Sequence, residues 1–123
     1  MNPADTNPAR PPVIDRATLL EELAGDEALV REIAALFLES GPEQLRSLRA
    51  AAAAGDTDAM SRHAHTLKGA LAQLHADPAA AAAREVEEAA RQGQASVAAA
   101  ATPQLEAEFS AVQRELEALL KEA

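Results

Sequence analysis

Apolar side chains recur at three- and four-residue spacing along this chain, and nowhere do they alternate as a strand requires. Leu19, Leu20 and Leu23 form one set. Leu29, Val30, Ile33 and Phe37 form another, and Leu45 and Leu48 follow. Met60, Ala64, Leu67, Leu71 and Leu74 make a third stripe, and Leu105, Phe109, Val112, Leu116 and Leu119 close the chain. A helix with one apolar stripe must bury it against another helix. The spacing predicts an all-α protein.

Polar and glycine punctuation divides the pattern. Asp15 reads as the cap of a first helix and Gly25 as its stop. Asp26 caps a second helix, which Ser40, Gly41 and Pro42 would end. Pro42 suits the first turn of a third, which an alanine run carries to Gly55. Asp56 caps the next. Asp77 then stands as N-cap with Pro78 behind it, and that helix runs through Val86 to Gly93. Residues 95–101 read as helical, and Pro103 is either a kink or a start capped by Thr102. Short connections make sequential helices antiparallel neighbours. The expected fold is an antiparallel four-helix bundle with one or two additional short N-terminal helices. Residues 1–13, with Pro3, Pro8, Pro11 and Pro12, read as a flexible tail or linker, and residues 14–123 as one domain.

Charge and composition narrow the functions. The net charge of −9 argues against nucleic acid. There is no cysteine, hence no disulfide and no thiolate metal site. The first twelve residues lack the apolar run of a signal peptide, and no stretch reads as a membrane span. A cytoplasmic location is expected. Residues 59–76 contain no Asp or Glu but hold Arg62 and Lys68. Such a strip in an acidic protein tolerates an anion.

Within that strip lies His65, followed by Thr66, Leu67, Lys68 and Gly69. At about 100° per residue, His65 falls well away from the apolar stripe. Lys68 and Gly69 lie beside it one turn on, and Ser61, Ala72 and Ala76 share the outer sector. Imidazole, with an unperturbed pKa of about 6.5, is a nucleophile near neutral pH and takes a phosphoryl group covalently. Phosphoryl transfer needs in-line access and positive charge near the equatorial oxygens. Gly69 offers the first and Lys68 the second. Glycine inside a helix costs roughly 1 kcal/mol relative to alanine, so that position reads as one needing a missing side chain. Spacing alone equally fits a surface histidine with a neighbouring lysine.

His65, Thr66, Leu67, Lys68 and Gly69, preceded by Ala64, resemble the signature of histidine-containing phosphotransfer (HPt) domains. The resemblance covers nearly everything after Val13. It includes Gly25 and Asp26 before a helix ending near Phe37, Gly55 and Asp56 before the His65 helix, and Val86 and Glu87 on the following one. It implies that His65 carries a phosphoryl group exchanged with an aspartate of a response-regulator receiver domain. Any Mg²⁺ would belong to that partner, and no cofactor is expected on this chain. A hybrid sensor histidine kinase, separate or on the same polypeptide, is the implied source. Gly69, Ala72, Ala76, Ser61 and Arg62 are expected to form the docking face. The chain departs from the family at Ala70 and Leu71, where small hydroxyl residues are frequent, at Gln73 for Asn, and at His75 for Gly.

Glu87 stands where the family often has a polar residue near the histidine. There it would accept a hydrogen bond from Nδ1 and leave Nε2 to attack; the alternative is a solvated Glu beside Glu85 and Glu88. His63 reads as a packing residue and His75 as a surface one or one that crowds the docking face. His63 and His65 point about 200° apart and cannot share a metal ion, so no metal site is expected. There is no glycine-rich nucleotide loop, and Thr66 follows His65 where kinase dimerisation helices usually place an acid. The reading is a monomeric relay and not a kinase. A helical adaptor that docks partners without phosphotransfer is the alternative.

Overall fold

The computed structural model describes residues 12–122. The expected tail therefore lies, through residue 11, outside the described residues. Five helices are present among them: α1 Arg16–Glu22, α2 Glu27–Ala54, α3 Thr57–Gln73, α4 Asp77–Arg91 and α5 Ala95–Lys121. No strand occurs among the described residues. The four long helices close a ring in which α3 packs on α2 and α4, and α5 packs on α4 and α2. The short α1 lies against α2. This is the expected bundle with one additional short helix.

The aspartate caps explain three of the starts. Asp15 accepts the Thr18 amide at 3.1 Å, Asp26 that of Leu29 at 3.0 Å, and Asp56 that of Ala59 at 3.1 Å. The Thr18 amide and hydroxyl also hold the Asp15 carboxyl below its usual value. Gly55 ends α2 in the left-handed conformation, φ 66°.

Three punctuation readings are corrected. Ser40, Gly41 and Pro42 do not end a helix; α2 runs through them without interruption. Gly41 is buried, and a side chain there would crowd Phe109 and Phe37, whose rings pack 5.4 Å apart. The long apolar face on either side of Pro42 keeps the helix whole despite the missing amide. Pro103 likewise lies inside α5. Thr102 is no cap: it is buried and its hydroxyl donates to Ala98 O at 3.0 Å. Asp77 is the first residue of α4, and the N-cap is Ala76, which makes no side-chain capping bond.

The stripes point inward as expected. Met60, Ala64, Leu67, Leu71 and Leu74 are at most 1 % exposed, and Leu105, Phe109, Val112, Leu116 and Leu119 are buried. Full burial of such side chains contributes about 1.5–3 kcal/mol each. Ala64, Ala79, Ala83 and Ala98 are wholly buried. Their small side chains bring the backbones close, which sets α4 tightly against the His65 helix. At the far end, Arg31 donates to the carbonyls of Leu119 and Leu120 and satisfies the C-terminus of α5.

Candidate functional site

α3 presents to α4 the face beside its apolar stripe. His65 lies there with its side chain 66 % exposed. From α4, Glu87 reaches in and is almost wholly buried, 3 % exposed, while Glu85 and Glu88 are exposed. His65 Nδ1 and Glu87 Oε2 are 2.7 Å apart. Lys68 Nζ meets the other oxygen, Oε1, also at 2.7 Å. Arg91, one turn along α4, approaches Oε2 at 3.7 Å.

Glu87 faces two opposed influences. Burial pushes its carboxyl up, but the hydrogen bonds from Lys68 and His65 outweigh it and hold the group below the usual carboxylate value. An ionised carboxylate only accepts, so the proton between the two residues sits on Nδ1. The imidazole is thereby held in the tautomer whose Nε2 carries the lone pair.

The other expected residues divide. Gly69 and Ala72 are exposed along the same face, Arg62 is exposed and Ser61 half-buried one turn before His65. A Cβ built on Gly69 would meet nothing within 4 Å among the described residues. Ala76 does not belong to this face: it is fully buried. α3 ends at Gln73, and His75 takes a left-handed φ of 55°, so the backbone turns Ala76 into the core. The Ala76 amide bonds back to Leu71 O at 2.9 Å, closing the helix end. His63 is half-buried toward α2, its Nδ1 3.2 Å from Gln44 Oε1.

His75 is half-buried and paired with α1. Its Nε2 is 2.7 Å from Glu22 Oε2 of α1, and its carbonyl accepts the Asp15 amide at 3.0 Å. The Glu22 carboxylate raises the His75 imidazole above its usual value. The residue occupies the left-handed position where the family often has glycine.

The partnership of Lys68 with Glu87 was not visible from spacing, because it crosses from α3 to α4 and only the fold sets that register. That of Arg91 with the same carboxylate is an i,i+4 pair along α4, a spacing the sequence carries but the sequence reading did not single out. Glu87 itself carried a signal, being the one acid of residues 85, 87 and 88 that follows Val86 at the inward edge of α4. Among the described residues no group of histidines and acids is arranged to hold a metal ion, and no helix is long and apolar enough to cross a membrane.

The fold is an all-helical bundle that presents a mostly exposed histidine backed by a buried carboxylate, an arrangement suited to phosphoryl transfer. The Hpt domain family matches residues 32–120, and the chain belongs to that family. It is similar to the crystal structure of histidine-containing phosphotransfer protein B from Pseudomonas aeruginosa PAO1. The two share 32 % identity with a TM-score of 0.80, over 89 % of this chain and 95 % of the other. No curated protein matches the chain. Members of this family carry phosphoryl groups in two-component phosphorelays, working with receiver domains, and are not kinases. His phosphotransfer in a relay is the role of this chain.

Proposed function

We propose that His65 is the phosphorylated residue and that Nε2 is the attacking atom. The observation that carries this is the 2.7 Å contact of Nδ1 with Glu87, on a ring otherwise mostly exposed. In the forward step the Nε2 lone pair attacks the phosphorus of an aspartyl phosphate on a receiver domain. The N–P bond forms, the P–O bond to the aspartate breaks, and that aspartate leaves as a carboxylate. The ring keeps its Nδ1 proton and becomes cationic, and the buried Glu87 carboxylate stabilises that charge. The reverse step delivers the group to a second receiver.

Lys68 holds the other oxygen of Glu87 and adds positive charge to the site. Gly69, Ala72, Ser61 and Arg62 supply the face on which a receiver docks. Mg²⁺ belongs to the receiver. The chain has no catalytic nucleotide chemistry of its own and acts as a monomeric carrier in the cytoplasm, fed by a hybrid sensor kinase. It binds neither nucleic acid nor membrane.

Incubation with a phosphorylated receiver domain tests this reading. The expected result is an acid-labile, base-stable label on wild type and none on His65→Gln, with the fold retained because the site is exposed. His63→Gln and His75→Gln should still accept the group. Label persisting in His65→Gln would overturn the assignment, and a helical adaptor would take no label at all.

A further inference from the structure

The charged groups gathered at His65 are Arg62 and Lys68 from α3 and Glu87 and Arg91 from α4. They do not all line the same concavity. His65 lines an open concavity of about 440 Å³ together with Arg62 and Arg91, with Ser61, Thr66 and Glu87 completing its wall. Lys68 lines a different concavity further along the seam, with Gly69, Ala72 and Arg84. Its ammonium is bound at 2.7 Å to the buried Glu87. The signature lysine is thus engaged by the carboxylate, whereas two arginines line the concavity that holds the imidazole.

Those two arginines differ in origin and in freedom. Arg62 precedes His65 by three residues, one turn back on α3, and is exposed. Arg91 comes from α4 and makes the loosest of the Glu87 contacts, 3.7 Å, with its side chain 68 % exposed. A phosphoryl group brings a charge of about −1.5 to −2 to a position close to an existing carboxylate. Glu87 already has His65 and Lys68 as close partners. Arg91 therefore gives up little at Glu87 by turning to the newcomer, and planar guanidinium groups match phosphoryl oxygens two at a time.

We propose that Arg62 and Arg91 are the phosphoryl-binding residues of this protein, closing on the group from α3 and α4, while Lys68 is a positioning residue that acts through Glu87. The proposal rests on His65 being the phosphorylated residue. In it, Arg91 exchanges its contact with Glu87 Oε2 for the phosphoryl oxygens once the N–P bond has formed.

Phosphoramidate labelling of the full chain tests this, because a small donor removes receiver docking from the comparison. Nε2 attacks phosphorus and the P–N bond of the donor breaks, releasing ammonia. The double variant Arg62→Gln with Arg91→Gln should label on the order of tenfold more slowly, and Arg62→Lys with Arg91→Lys should recover part of the rate. The diagnostic reading is ³¹P NMR of the labelled protein. Loss of both guanidinium groups should move the last ionisation of the phosphoryl group upward by about one unit, and Lys68→Gln should move it less. A purely structural role for the arginines would leave that titration where it is. The proposal is overturned if the double variant titrates like wild type, or if Lys68→Gln shifts the titration more than the double variant does. If wild type takes no label on His65, this inference fails together with the reading beneath it.

Discussion

His65 of α3 and Glu87 of α4 meet Nδ1 to Oε2 at 2.7 Å, and Glu87 is buried while His65 is not. A buried acceptor thus fixes the orientation of an exposed imidazole. The carboxylate is kept ionised by the same two neighbours it organises, so His65, Lys68 and Glu87 stand or fall together.

Glu87→Ala should therefore slow phosphoryl acceptance at His65 by about ten- to a hundredfold, the range seen when a second partner of a functional histidine is lost. Labelling by phosphoramidate checks the rate, and ¹⁵N NMR of the imidazole should show the Nδ1–H tautomer losing its dominance. An unchanged tautomer ratio would show that Glu87 does not orient the ring. Stability adds a second signature. Because the folded carboxyl lies below its usual value of 4.5, its contribution is present above that value and lost as the pH falls through the folded one. The stability advantage of wild type over Glu87→Gln should narrow in acid.

His75 links the α3–α4 turn to α1 through Glu22, and its imidazole is raised above the usual 6.5 by the Glu22 hydrogen bond, with Asp77 and Asp15 adding to it. A raised histidine contributes stability that is complete below its unfolded value and lost as the pH climbs through the folded one. His75→Asn keeps a residue that tolerates the left-handed conformation but removes the imidazole. The difference in Tm between wild type and His75→Asn should be larger at pH 6 than at pH 9. A difference independent of pH would show that the pair with Glu22 carries no ionic contribution.

The elements, and the place of His65 off the apolar stripe, were legible in the sequence because their causes are local. Asp15, Asp26 and Asp56 cap, Gly55 stops, and the stripe around Leu67 buries, each by chemistry within one or two turns. The misreadings arose where a long-range contact overrides a local signal. Pro42 punctuates a chain in isolation, but here it sits in a helix held along its length by packing on α3 and α5. Ala76 falls on the His65 face only if α3 continues past Gln73, and the left-handed turn at His75 ends that register. The grip of Lys68 on Glu87 depends on how α3 meets α4, which no spacing along the chain encodes.

Gly41 and Gly69 are both helical glycines, and they should respond oppositely to alanine. At Gly41 a Cβ would lie 3.1 Å from Phe109 Cζ and 3.2 Å from Phe37 Cε1. The helix gains roughly 1 kcal/mol from alanine, but overpacking two buried rings costs about 1–3 kcal/mol. Gly41→Ala should be destabilising by up to about 2 kcal/mol in urea unfolding, and Gly41→Leu by more. A stabilised Gly41→Ala would mean that the Phe37 and Phe109 rings yield easily.

At Gly69 nothing within 4 Å opposes a side chain, so the fold itself makes no use of the missing one. Gly69→Ala should raise stability by up to about 1 kcal/mol, and Gly69→Leu should also stay folded. Retaining glycine against that gain fits a face that a receiver domain must approach closely. Transfer from a phosphorylated receiver should fall steeply in Gly69→Leu, while phosphoramidate, which needs far less room, should still label His65. Equal losses with both donors would place the defect in the chemistry and not in docking. Undiminished transfer from the receiver would remove Gly69 from the docking face altogether.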